Sequence, residues 1–417
     1  MNLPSTEAAL GQAQTRLQCG DLIQAESLCR QVLTQDRASA AAYALLAAVL
    51  RQGRPMAQAE QLGRQWSAHC PTDARAHAFL GDVLREQGHI DAAMTCWQRA
   101  LHLPGAHGDL HYRLGLALLD LGQDAQALAE LQAAQCDAQV HEAALALRIR
   151  LLHRLQRWDE ARQLLGDSLF RLTPTGQARP ILTLWLALFP EDEVPRHRLA
   201  ADGALAAPVR ASDAYVSYLF DHYAHSFDAQ LAKLGYQAPA LIAQQLAQTL
   251  APPQAAWRVL DAGCGTGLCG PLLRPYARAL TGVDLSAGMV AKAESRGGYD
   301  RLVVAELTQF LASCDAEFEL IVSADTLVYF GDLSAVMAAA ARALARGGCL
   351  AFSLEHLASD TDVGWQLSQS GRYVHGRRYV EQVVRTVGLT LLVVASVALR
   401  MNAEKPVAGL VILATRP

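Results

Sequence analysis

Asp261, Gly263, Gly265, Gly267 and Asp284 are the residues of this chain whose types and spacing could do chemistry. In Arg258-Val-Leu-Asp-Ala-Gly-Cys-Gly-Thr-Gly267 an apolar, β-favouring run ends in a carboxylate and passes straight into three alternate glycines. Glycines at alternate positions strip a turn of side chains, so a ligand can touch the main chain itself. Seventeen residues after Gly267 a second apolar run, Ala279-Leu-Thr-Gly-Val-Asp284, again closes on an acid, placed to accept hydrogen bonds from ribose hydroxyls. A strand, a glycine turn, a helix and a second strand are needed to hold these groups, which predicts a nucleoside-binding βαβ unit.

Gly265-Thr-Gly-Leu-Cys-Gly270 also satisfies the G-x-G-x-x-G pattern of dinucleotide enzymes, so an NAD-dependent oxidoreductase is a rival. Phasing separates the two. In a dinucleotide fold the triplet's first glycine follows the strand at once, whereas here Gly263 comes first and Asp261 precedes it by two. A carboxylate at the loop mouth repels a pyrophosphate and attracts the ammonium and sulfonium of S-adenosylmethionine. Cys264 reads as a small loop side chain rather than a catalytic thiol.

The segment resembles motif I of the class I S-adenosylmethionine-dependent methyltransferases, and the segments after it resemble the rest of that family's series in order. The resemblance implies that Asp284, with Leu285 beside it, holds the ribose. It implies that Glu306 and the backbone of Leu307 face the adenine, and that Asp325 and Thr326 lie beside the methyl group. It further implies a mostly parallel Rossmann-like sheet closed by an antiparallel pair, Leu389–Leu399 and Val407–Ala414. Tyr215–Tyr236 resembles the segment that folds over the donor in small-substrate members, with Tyr223 and Phe227 as lid candidates. A general base is needed only if the acceptor carries a proton of high pKa. Candidates are His356, Tyr373 and His375.

The first part of the chain is organised by period. Ala25, Ala59, Ala93, Ala127 and Ala161 are each 34 residues apart, and Ala13, Ala47, Gly81, Gly115 and Ile149 precede them by twelve. This spacing resembles the tetratricopeptide repeat and predicts about five helix pairs in a short solenoid, with Trp66, Trp97 and Trp158 filling core. A concave solenoid face implies a protein partner. Whether the methyl acceptor is that protein or a small molecule is left open, as is an adaptor whose second domain binds the donor without catalysis.

The expected organisation is a helical repeat domain over 1–172, a linker with one short helix over 173–211, and an α/β domain over 212–417. The linker is marked by Pro174, Pro180, Pro190, Pro195 and Pro208. With 417 residues, 52% of them hydrophobic, and a formal charge of -4, the chain suits two globular domains and lacks the basic footprint of a nucleic-acid binder. No apolar run is long enough to span a bilayer. Nine cysteines with no C-x-x-C pair argue for reduced thiols and against a zinc site, and the N-terminus lacks a signal-peptide pattern, so a cytoplasmic location is expected.

Overall fold

The structure, a computed structural model, describes residues 5–52, 56–105, 109–134, 141–173, 176–224, 226–357, 364–402 and 405–417. Two compact units divide the chain, Met1–Pro174 and Thr175–Pro417.

The first unit is a run of antiparallel helix pairs. They are α1 (Thr6–Gln18) with α2 (Leu22–Gln35), α3 (Ala40–Leu50) with α4 (Met56–His69), and α5 (Ala74–Glu86) with α6 (Ile90–Leu101). Then come α7 (Asp109–Asp120) with α8 (Asp124–Ala133), and α9 (His141–Arg154) with α10 (Trp158–Leu172). Gly20, Gly88 and Gly122 take positive φ at the corner inside a pair, and Gln156 does so at the equivalent corner of the last. The periodic small residues sit where helices meet: Ala25, Ala93, Ala127 and Ala161 are fully buried. At Gly115 an added Cβ would come within 2.7 Å of Leu131 Cγ, and at Gly81 it would run into the Trp97 indole. Trp66 and Trp97 fill core as expected. Trp158 does not: it opens α10 and is 49% exposed.

The second unit begins with two helices where a linker with one short helix was expected, α11 (Arg179–Leu188) and α12 (Glu193–Ala201). Two of the prolines that suggested a break lie in the first turns of helices instead. Pro180 lies at the N-terminal end of α11 and Pro195 in the first turn of α12, where a missing N–H leaves no hydrogen bond unmade. Val194, His197 and Leu199 are buried, His197 Nε2 lies 2.9 Å from the Gly371 carbonyl, and its ring stacks on Tyr215 at 4.0 Å. These helices belong to the second unit, packed on α13 and on the turn before β7.

Three further helices follow, α13 (Asp213–Tyr223), α14 (Phe227–Lys233) and α15 (Ala238–Thr249). The sheet comprises β1 (Trp257–Ala262), β2 (Ala277–Asp284), β3 (Arg301–Val304), β4 (Phe318–Ser323), β5 (Leu344–His356), β6 (Trp365–Leu367), β7 (Tyr373–His375), β8 (Thr390–Asn402) and β9 (Lys405–Thr415). Strands β3-β2-β1-β4-β5 run parallel in that order, β9 lies antiparallel on β5, and β8 on β9. The expected Rossmann-like sheet with a closing antiparallel pair is present. Short β7 extends the end of β5 in parallel, with β6 antiparallel beyond it. Val259, Leu260, Leu320, Ile321, Phe352, Val411 and Leu413 are buried, the pattern of strands covered on both faces. Helices α16 (Gly270–Leu273), α17 (Ala287–Arg296), α18 (Leu307–Ala312), α19 (Ser334–Ala343) and α20 (Arg377–Thr386) complete the unit. Strand order reverses between β1 and β4, which opens a crevice outside the carboxyl ends of the strands.

Candidate functional site

That crevice is an open cavity of about 1070 Å³ of empty space, solvent at its mouth included. Four strand ends feed it. Gly263, Cys264 and Gly265 come from the loop after β1, Asp284 and Leu285 from the end of β2, Glu306 and Leu307 from beyond β3, and Asp325 with Thr326 from beyond β4. Val216, Phe220, Phe227 and Leu231 of α13 and α14 form an apolar wall.

The glycine loop is fixed by the second strand. Gly263 and Cys264 donate to the Val283 carbonyl at 2.8 and 2.9 Å, and Gly265 N–H donates to Asp284 Oδ2 at 2.9 Å. Gly263 has φ +82, and a side chain there would overlap Thr326, so this position requires glycine on two counts. Asp284 Oδ1 accepts from Ser286 N–H at 2.9 Å. Each carboxylate oxygen keeps a lone pair for a ligand. Burial pushes the Asp284 carboxyl up, against the lowering effect of the Ser286 and Gly265 amides.

Glu306 caps α18 through Gln309 N–H at 2.7 Å, and its Oε1 accepts from Arg210 at 2.7 Å. Burial raises this carboxyl, but the Thr308 and Gln309 amides with Arg210 outweigh it and hold it below the usual range. Arg210 also pairs with Asp213 at 2.6 Å and lines the cavity. Two contacts tie the wall helices to the ends of β1 and β2: Thr266 Oγ1 donates to Asp228 at 2.6 Å, and Ser286 Oγ to Asp221 at 2.5 Å. Phe220 meets Tyr329 edge-on at 5.4 Å.

At the far end lies an ion cluster that the spacing of residues did not reveal. Arg400 of β8 pairs with Asp325 at 3.0 Å and closely with Glu355 of β5, and Arg372 approaches Glu355 at 3.3 Å. Asp325 takes φ +54 and is held there by Ser353, whose Oγ donates to Oδ1 at 2.8 Å. Burial raises the Asp325 carboxyl, opposed by Arg372 and Arg400.

Several expected positions fall outside the cavity. Asp261 lies fully buried beneath the loop, where its Oδ2 accepts from the Tyr299 hydroxyl at 2.6 Å. It therefore lies beneath the loop rather than at its mouth, and burial pushes its carboxyl up to about 7. Gly267 packs instead of binding: a Cβ there would sit 3.1 Å from Tyr299 and 3.3 Å from Ala293. None of the three base candidates lines the cavity. Tyr373 is buried in β7 and donates to the Pro208 carbonyl at 2.7 Å; His375 is buried with Nε2 at 2.8 Å from the Phe330 carbonyl; His356 ends β5 in register with His375. Pairing of the short strand β7 buries Tyr373 and His375 away from the cavity. The Tyr223 side chain lies outside the described residues.

His375 has a measurable consequence. Burial depresses its pKa from 6.5 to about 4, despite the Phe330 and Gly331 carbonyls. The folded state therefore holds it neutral, and the stability this lends is present above pH 6.5 and lost as pH falls toward 4. Asp261 acts with the opposite sign in the same window, because its raised pKa costs stability as pH rises from about 4 to about 7. A variant isolates the histidine. The stability gap between the natural chain and His375→Gln, measured by urea unfolding, should narrow by on the order of 3 kcal/mol between pH 6.5 and 4. A gap independent of pH would contradict the assignment.

Residues 260–352 match a family model described as a methyltransferase domain. Over 93 residues the chain is 40% identical to human Methyltransferase-like protein 27, covering 22% of this chain and 38% of that protein. Over 179 residues it is 29% identical to the malonyl-[acyl-carrier protein] O-methyltransferase of Pseudescherichia vulneris, covering 42% and 63% respectively. The chain thus spans less than two thirds of the length of these curated relatives. Among solved structures, N-methyltransferase NodS from Bradyrhizobium japonicum, in complex with S-adenosyl-L-homocysteine, aligns over 48% of this chain and 98% of its own at 19% identity and a TM-score of 0.39. No helix among the described residues is long and apolar enough to cross a membrane.

Proposed function

We propose that the second unit, which carries a class I S-adenosylmethionine-dependent methyltransferase domain, transfers a methyl group from S-adenosylmethionine to an acceptor held in the strand-end cavity. The observation that carries this is the convergence of four strand ends on one cavity, with a stripped main-chain loop facing Asp284. Asp284 takes the ribose hydroxyls, Glu306 and Leu307 border the adenine, and Asp325 with Thr326 flank the transferring carbon. S-adenosylmethionine supplies a carbon already activated for displacement. The chain's own residues have then to align the acceptor and exclude water, a task suited to the Phe220 and Phe227 wall. Calorimetry with S-adenosylmethionine, S-adenosylhomocysteine and NAD tests this: the first two should bind at one site per chain and NAD should not. NAD binding of equal strength would sink it.

The first unit serves protein interaction in this proposal. Support comes from a groove lined mostly by residues of α3, α5 and α7, the first helices of consecutive pairs, over the buried Trp66 of α4; its Arg51 and Arg113 pair with Asp82 and Asp109 of the same lining. Such a face of small apolar side chains and paired charges suits a peptide segment.

A further inference from the structure

We propose that the acceptor is a carboxylic acid, bound through its carboxylate by Arg372 at the far end of the cavity and released as the methyl ester; this rests on the methyl-transfer function proposed above.

Three observations converge on Arg372. The first is surplus donors. A guanidinium carries five N–H groups, and among the described residues those of Arg372 reach only Tyr329 Oη at 3.4 Å and Glu355 Oε1 at 3.3 Å, both near the limit of hydrogen bonding. Glu355 Oε1 is engaged more closely by Arg400, so Arg372 holds the weaker share of that carboxylate. The second is position. Arg372 lines the cavity and its side chain is 25% exposed, whereas Arg400, Asp325 and Glu355 are 7, 11 and 8% exposed. Asp325 turns both oxygens away, one to Ser353 and one to Arg400. The cation is the accessible member of the cluster, and a planar fork is suited to a carboxylate.

The third observation is the kind of proton chemistry the cavity offers. Among the described residues neither histidine nor lysine lines it. Its thiols, Cys264 and Cys269, and the buried Tyr236 hydroxyl are pushed further into their protonated forms by burial. An amine, thiol or alcohol acceptor would need a base to take its proton, and Asp325, the carboxylate proposed to flank the transferring carbon, is already committed to Ser353 and Arg400. A carboxylate arrives deprotonated near neutral pH and needs none. One of its oxygens rests on Arg372 while the other attacks the methyl carbon. A C–O bond forms, the C–S bond breaks with its electron pair going to sulfur, and no proton moves. Carboxylate and sulfonium become neutral ester and neutral thioether, so the product loses the charge that held it to Arg372. The apolar faces of Phe220, Phe227 and Leu231 suit an acid with a hydrocarbon body.

The test uses the full chain with methyl-tritiated S-adenosylmethionine and a defined panel: octanoate, benzoate, phenylacetate and the monoanion of succinate, beside octanamide, octylamine and phenethylamine. Mild alkali releases a methyl ester's label as volatile methanol and leaves N-methyl groups in place. Expected is alkali-labile label from at least one carboxylate, reduced at least a hundredfold in Arg372→Gln and partly restored in Arg372→Lys. S-adenosylhomocysteine affinity should stay within twofold in both variants, which also shows that they fold. Label on the amines, no labile label from any carboxylate while S-adenosylhomocysteine binds, or labelling indifferent to Arg372→Gln would overturn the carboxylate assignment. Failure of S-adenosylhomocysteine to bind the natural chain would remove the methyl-transfer function itself.

Discussion

Asp284→Ala should weaken S-adenosylhomocysteine binding at least a hundredfold in a calorimetric titration of the full chain. Two ribose hydroxyls donating to a charged acceptor are worth about 1.5 to 3 kcal/mol each, so losing both exceeds two powers of ten. The same change also unpairs the Gly265 and Ser286 amides, which loosens the loop that the nucleoside must rest on. Asp284→Asn separates the effects. It keeps one acceptor oxygen and an uncharged shape, and should cost about tenfold. Affinity unchanged in the Ala variant would reduce Asp284 to a loop fastener.

The second large effect concerns where the α/β unit begins. A fragment starting at Ser212, the boundary that proline spacing suggests, removes α11 and α12. Ile181, Leu182, Trp185, Val194 and Leu199 are buried in those helices, and His197 both stacks on Tyr215 and reaches the Gly371 carbonyl. Burial of such side chains is worth about 1.5 to 3 kcal/mol each. Their loss together exceeds the ~5 to 15 kcal/mol margin of an ordinary domain or comes near it. The 212–417 fragment should therefore be aggregated or largely unfolded by thermal denaturation and near-ultraviolet circular dichroism. A fragment beginning at Thr175 should unfold cooperatively and keep donor affinity within about threefold, since every proposed donor contact lies inside it. A stable, donor-binding 212–417 fragment would show that α11 and α12 are accessory.

What the sequence disclosed was what is encoded locally. Val259-Leu260 running into alternate glycines declares a strand and a turn whatever surrounds them, and Asp284 at the end of the next apolar run follows from the same unit. The 34-residue spacing of alanines disclosed the helix pairs for a similar reason, since a small residue is demanded wherever two helices meet. Burial was harder. Asp261 and Gly267 share the loop's pattern, but the first faces Tyr299 beneath the sheet end and the second packs on α17, and Tyr299 is 38 residues from Asp261. The far end of the cavity was illegible because it is assembled by pairing alone. Arg372 precedes β7, Arg400 ends β8, Glu355 ends β5, and no spacing in the chain announces that these strands bring them to Asp325. Tyr373 and His375 misled for the complementary reason: polar types between glycines resemble a loop, and a three-residue strand buried them.

The central claim is that the cavity at the ends of β1 to β4 is the donor site. A crystal structure of the full chain grown with S-adenosylhomocysteine tests it most directly. The ribose hydroxyls should lie within hydrogen-bonding distance of Asp284, the adenine beside Glu306 and Leu307, and the sulfur toward Asp325, with Gly263 to Gly265 along the ligand's edge. A ligand seated elsewhere, or one whose ribose turns away from Asp284, would contradict the account.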